Sequence, residues 1–177
     1  YVWAATSDGL ARYDGIGLQV WQHDPLSARS IPGNEVETLL VDDRDRVWLG
    51  INGSPLAMFD AEREGFVSFP AVSNACAGQV WALAQAQGAL WIGTSNGGLC
   101  RREEDGRLTV FRATPDAPDG LPSDTIMSML TDARGRLWIG TGSGLVMRDG
   151  ERFVRIAPER LSATVFKLSK DPDGTLW

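Results

Sequence analysis

Asp132-Ala133-Arg134-Gly135-Arg136-Leu137-Trp138-Ile139-Gly140 decides the fold, because the same phrase keeps returning along the chain. It stands earlier as Asp42-Asp43-Arg44-Asp45-Arg46-Val47-Trp48-Leu49-Gly50. A degenerate copy reads Gln85-Ala86-Gln87-Gly88-Ala89-Leu90-Trp91-Ile92-Gly93. The sequence opens inside one more copy, Val2-Trp3-Ala4-Ala5-Thr6, and closes inside another, Asp171-Pro172-Asp173-Gly174-Thr175-Leu176-Trp177. The repeat tryptophans at 3, 48, 91, 138 and 177 are 45, 43, 47 and 39 residues apart. A period of about 43 residues made of short strands is the signature of β-propeller blades.

Working outward from 132–140, the copy lays out four strands at 125–130, 136–141, 145–148 and 151–156. Turns separate them at 132–135, 142–144 and 149–150. Asp149-Gly150 is a dipeptide that favours a hairpin. The first strand is almost continuously apolar, whereas polar residues alternate in the outer ones. That gradient fits a four-stranded antiparallel sheet whose inner strands are packed on both faces and whose outer strand is wetter. The same reading places strands at 36–41, 47–50, 56–59 and 66–69, and at 80–84, 90–93, 99–102 and 108–111. The start supplies 2–5, 10–13 and 18–21; the end supplies 165–169 and 176–177.

The chain is therefore all-β, with blades at 35–69, 80–111 and 125–156 and partial blades at 1–22 and 164–177. Linkers 22–34 and 112–124 are long and rich in Pro, Asp and Ser, while 70–79 and 157–163 are shorter. All four carry an outer strand back to the next inner strand and are expected on one face. The result is an arc of about four blades, and propellers close at about four to eight. One reading is a fragment of a larger propeller, its apolar end faces covered by the remaining blades or by a second copy. The other is a compact ring closed by pairing of 165–169 with 2–5.

Composition agrees and sets limits. The 177 residues include 20 Gly, 9 Pro and 7 Trp, and 43% are hydrophobic, which suits a β-rich core with many turns. The net charge of −6 and a pI near 4.8 oppose binding to nucleic acid or anionic lipid. Arg101-Arg102 is cancelled at once by Glu103-Glu104-Asp105. No apolar run is long enough to span a bilayer and no signal-peptide pattern is present, so membrane attachment would come only through segments downstream. Cys76 and Cys100 are expected as two separate buried thiols, with a single bridge as the alternative in an oxidising compartment.

The run Leu121-Pro122-Ser123-Asp124-Thr125-Ile126, continuing through Leu130-Thr131-Asp132 to Trp138-Ile139-Gly140-Thr141 and Gly144-Leu145, resembles the two-component regulator propeller repeat. Ile31-Pro32-Gly33-Asn34-Glu35-Val36 through Trp48-Leu49-Gly50 and the stretch from Leu90 to Leu99 are similar to further copies. The resemblance implies a periplasmic sensor region of a bacterial membrane receptor, within a propeller of seven blades. It also implies an output through a histidine kinase or a diguanylate cyclase, and oligosaccharide ligands. The chain departs from the pattern at Gln85, at Asn74-Ala75-Cys76-Ala77-Gly78-Gln79, and at Ile51, where the other copies carry Thr94 and Thr141.

Trp48, Trp91 and Trp138 invite a reading as sugar platforms, but one position repeated in every blade is explained by packing. Asp42 and Asp132 are expected to accept backbone N–H groups of their turns. Gly50, Gly93 and Gly140 are expected to permit close blade contact. His23, the single histidine, lies in a surface loop beside Asp24, and Ser27 and Ser30 share that loop by proximity alone. Glu35, Glu37, Glu103, Glu104 and Asp105 are explained by solvent exposure. No catalytic constellation, metal set or cofactor motif is expected. Candidate ligand contacts fall on the linkers: Arg29, Asn34, Asn74 and Asp124 for hydrogen bonds, with Trp21 as an exposed aromatic.

Three functions compete: a non-catalytic ligand-sensing module, a protein-interaction or dimerisation scaffold, and a glycan-active propeller enzyme. The first is preferred, because the family resemblance supports it and no catalytic constellation is expected; fold alone does not settle function.

Overall fold

The computed structural model describes residues 1–177. Consecutive strands form one three-stranded and three four-stranded antiparallel sheets, each in chain order. The chain divides into two compact units, Tyr1–Asn74 and Ala75–Trp177.

In the first unit, β1 (Val2–Thr6), β2 (Gly9–Tyr13) and β3 (Leu18–Trp21) make one sheet. The second sheet comprises β4 (Val36–Val41), β5 (Val47–Ile51), β6 (Ala57–Asp60) and β7 (Gly65–Ser68). All five residues of β5 are buried, as a continuous Val-Trp-Leu-Gly-Ile run requires. One apolar cluster joins the sheets: Leu10, Val47, Leu49, Phe59 and Phe66 pack with Trp3 and Trp21. The segment after β7, expected as plain loop, begins instead with helix α1 (Pro70–Ala75). Pro70 stands at its first position, where the missing N–H is not needed. Val72 is buried, and the rings of Trp48 and Phe69 lie 5.1 Å apart.

In the second unit, β8 (Val80–Ala86), β9 (Ala89–Thr94), β10 (Leu99–Arg102) and β11 (Leu108–Phe111) form one blade. The other contains β12 (Ile126–Thr131), β13 (Leu137–Thr141), β14 (Gly144–Asp149) and β15 (Arg152–Arg155). Trp91, Leu99, Ile126, Leu137, Ile139 and Val146 are at the centre of their shared core. A side chain at Gly93 would place its Cβ 2.8 Å from Cβ of Ile126, so glycine there lets the two blades close. The first strand of each four-stranded sheet carries the same irregularity, between Val36 and Thr38, Val80 and Ala82, and Ile126 and Ser128.

Two expectations are corrected in this unit. Residues 165–169 form no strand; the end of the chain makes one isolated bridge, Lys170 to Leu176. Apolar alternation there lacks a partner long enough for a ladder, and Phe166 remains exposed. The second correction is that Cys76 and Cys100 are joined in a disulfide, with Cα atoms 6.2 Å apart and both residues buried. The bridge ties the segment after α1 to β10.

Candidate functional site

The two long linkers are built alike, 90 residues apart. In the first, the Asn34 Oδ1 accepts the His23 backbone N–H at 2.6 Å. In the second, the Asp124 Oδ1 accepts that of Ala113 at 2.7 Å. The Ser27 N–H donates to the Asp24 carbonyl at 3.0 Å, as Ala117 donates to Thr114 at 2.9 Å. The Phe66 N–H reaches the Arg29 carbonyl at 2.9 Å, as Phe153 reaches Asp119 at 3.1 Å. Asn34 and Asp124 therefore close their own loops with the oxygens that were candidates for ligand binding. Within its loop, His23 Nδ1 lies 2.7 Å from the Ile31 carbonyl, a contact an Nδ1–H donor satisfies.

The other candidates are scattered. Arg29 is exposed, and Asn74 is exposed on α1. Trp21 is not an exposed platform: it is half-buried, stacked 5.6 Å from Trp3 and tilted against Phe59 at 4.9 Å. The Arg12 guanidinium lies 4.6 Å from the Tyr1 ring, 5.5 Å from Trp3 and 5.3 Å from Trp21. No three His, Cys, Asp or Glu side chains gather as a metal set.

Two cavities stand out. A cavity of about 550 Å³ in the first unit is lined by aromatic and charged groups including Tyr1, Trp3, Arg12, Asp45 and Phe59. Register places Arg148 in the second unit where Phe59 stands in the first, since Val47 pairs with Phe59 and Leu137 with Arg148. There Arg148 is buried against Trp91, Phe111 and Phe153, and the Thr131 hydroxyl donates to the Gln85 carbonyl before the β8–β9 turn at 2.7 Å. The second cavity, about 110 Å³, lies among Pro122, Ser143, Leu145, Arg155, Pro158, Leu161 and Ser162, where linkers and a β-turn meet.

Residues 120–143 match the two component regulator propeller repeat. The chain carries that repeat. No curated protein matches the chain. Among solved structures, similarity extends to the extracellular domain of a protein described as a hybrid two component system from B. thetaiotaomicron, at 23% identity and a TM-score of 0.80. That alignment covers 99% of this chain and 24% of the other. The extracellular domain of a one component system from the same organism aligns at 18% identity and a TM-score of 0.73, with the same two coverages. Virginiamycin B lyase from Staphylococcus aureus aligns at 14% identity and a TM-score of 0.68, over 99% of this chain and 58% of the lyase. These likenesses establish the propeller fold. The chain spans about a quarter of the length of the first two structures.

Inside the repeat, the structure shows what the conspicuous acids and tryptophans do together. The Asp132 Oδ1 accepts the backbone N–H groups of Arg134 and Arg136 at 2.9 and 3.0 Å. Its Oδ2 accepts the Arg136 Nε–H at 2.7 Å and the Trp138 indole N–H at 2.9 Å. Asp42 repeats this with Arg44, Arg46 and Trp48, and Asp171 binds the Trp177 indole at 2.9 Å. Burial works against both carboxylates. The indole, backbone and guanidinium donors outweigh it and hold each acid below the usual carboxylate range. The repeat copy with Gln85 sends its Trp91 indole N–H to the Ala86 carbonyl instead, at 3.2 Å. The indole bond was readable in principle, because an acid recurs six residues before each of these tryptophans except Trp91. Trp48 and Trp91 are 1% and 0% exposed, which excludes them as surface sugar platforms.

Proposed function

We propose that this chain is part of the extracytoplasmic ligand-sensing region of a bacterial transmembrane receptor and performs no chemistry itself. The match of residues 120–143 to the two component regulator propeller carries the reading. The extracellular provenance of the first two similar structures supports it. So does the buried Cys76–Cys100 bridge, which suits an oxidising compartment such as the periplasm. No helix is long and apolar enough to cross a membrane. In this reading the ligand is an oligosaccharide held on the linker side, and a kinase or diguanylate cyclase elsewhere in the protein produces the output. Calorimetric titration of the chain with an oligosaccharide panel, followed by product analysis, tests it. Saturable binding with the sugar recovered intact is expected, and conversion of the sugar would overturn the non-catalytic reading.

A partner surface favours an additional interaction role. Val2, Tyr13, Leu18 and Val20 are 64%, 45%, 67% and 50% exposed on the first blade. By register, Val2, Tyr13 and Leu18 stand where Val47, Phe59 and Phe66 stand in the next blade. Those three are covered by Trp3, Leu10 and Trp21. We propose that a blade of a second copy of this chain, bearing the same aromatic–leucine pattern, covers this face. Light scattering of a Leu18→Lys, Val20→Lys variant tests the proposal. The unmodified chain should self-associate through the face and the variant should not; two equally monodisperse monomers would sink it.

A further inference from the structure

The small cavity of the second unit contains a cation without a counter-ion. Arg155 leaves β15 and donates from Nη2 to the carbonyls of Pro115 at 2.6 Å and Ala117 at 3.2 Å. Those bonds hold linker 112–124 in place but neutralise no charge. Other arginines sit within 4 Å of a carboxylate: Arg136 of Asp132, Arg101 of Glu103, Arg148 of Glu151 and Arg112 of Asp124. Arg155 forms no such pair, and its Nε is buried with no acceptor. A half-buried guanidinium that bonds only to neutral carbonyls retains its full charge in a partly desolvated place, where an added anion interacts strongly.

The rest of the cavity is suited to such a group. Ser143 contributes a hydroxyl from the β13–β14 turn, and Ser162 contributes one from the segment beyond the blade. Pro122, Leu145, Pro158 and Leu161 form apolar walls. A volume of about 110 Å³ equals the share of roughly four waters at ~30 Å³ each. A carboxylate with its attached carbon fits that space. The net charge of −6 disfavours a polyanion. A single acid on an otherwise neutral molecule meets little of that repulsion.

We propose that this cavity is a subsite for one carboxylate of the ligand, with Arg155 as its cationic wall and Ser143 and Ser162 as hydroxyl contacts. The inference rests on the ligand-sensing reading above and assigns that ligand an acidic sugar unit.

The experiment is an amide NMR titration of the full chain with D-glucuronate, D-glucose and acetate. Glucuronate is expected to shift the Ser143, Leu161 and Ser162 amides saturably, with glucose leaving them in place. Arg155→Gln should weaken the glucuronate effect at least tenfold. Because that change also removes the clamp on linker 112–124, Ser162→Trp provides a second variant that fills the cavity and leaves the clamp intact. It should abolish the shifts. Equal shifts from glucose and glucuronate, or undiminished glucuronate binding in Ser162→Trp, would overturn the subsite. Saturable binding of a neutral oligosaccharide with these amides unmoved would also overturn it while leaving the sensing reading intact. Conversion of a bound glucuronide to product would do the reverse.

Discussion

Replacing Arg148 with phenylalanine should stabilise the chain. The Arg148 side chain is 0% exposed, and its one carboxylate partner, Glu151, is 83% exposed at 2.9 Å. Its Nε and Nη1 are buried with no acceptor. Burial weakens its hold on the proton, with Glu151 acting against that and the nearby Arg101 adding to it. What favours the arginine is stacking: its guanidinium carbon lies 5.0 Å from the Trp91 ring, 4.7 Å from Phe111 and 5.0 Å from Phe153. Each unpaired donor costs about 1–3 kcal/mol, while each desolvated cation–π contact returns about 0.5–2 kcal/mol. The first unit solves the same packing problem without charge: Phe59 lies 5.3 Å from Trp3, 4.9 Å from Trp21 and 5.4 Å from Phe66. Exchanging a buried ion for a well-packed apolar group gains about 1–4 kcal/mol. In a chain of this size the melting temperature should rise about 2–4 °C per kcal/mol. Urea unfolding followed by tryptophan emission, with Arg148→Phe, Arg148→Ala and Glu151→Gln, is the assay. The alanine variant should lose about 2–4 kcal/mol through the void it leaves, and Glu151→Gln should change stability by under about 1 kcal/mol because water replaces an exposed partner. A phenylalanine variant less stable than the parent, or a Glu151→Gln loss as large as that of alanine, would show that the charge itself anchors the blade.

Asp132→Asn should cost about 1–3 kcal/mol at neutral pH, the worth of charge-assisted hydrogen bonds. Because the folded carboxyl sits below its ordinary value of 3.8, its contribution is complete above that value and disappears as pH falls through the lower folded one; acid-unfolding curves of the variant should be flatter there than those of the parent. Reducing Cys76–Cys100, which closes a separation of 24 residues, should remove about 3–4 kcal/mol, read as the shift in urea midpoint with and without reductant. Thr141→Val should cost about 1–2 kcal/mol by denaturant titration, since the buried hydroxyl donates to the Gly144 carbonyl at 2.8 Å and accepts the Ser143 N–H at 3.1 Å.

The strands were legible because each blade repeats one local grammar, and β4, β3, β10 and β11 begin and end where the apolar pattern does. The end of the chain misled because Phe166 and Leu168 alternate with Lys167 and Ser169 as a strand would, yet a ladder needs two sides, and only a bridge forms. Trp21 read as exposed because its chain neighbours, Gln22 and His23, are polar; Trp3 and Phe59, which cover it, are distant in sequence. The pairing of Cys76 with Cys100 was likewise a matter of folded distance. The small cavity could not be anticipated, since Ser143, Arg155 and Ser162 follow no common spacing and meet only through the linkers.

The linkers alternate in kind along the chain. Long linkers 22–34 and 112–124 share their hydrogen bonds, and the short ones share theirs. Phe69 N–H bonds to Leu56 and Val72 N–H to Phe69, as Ile156 bonds to Leu145 and Arg160 to Ala157. The pattern returns after two blades and fails after one. A substitution in one linker is therefore best judged against the linker two blades away.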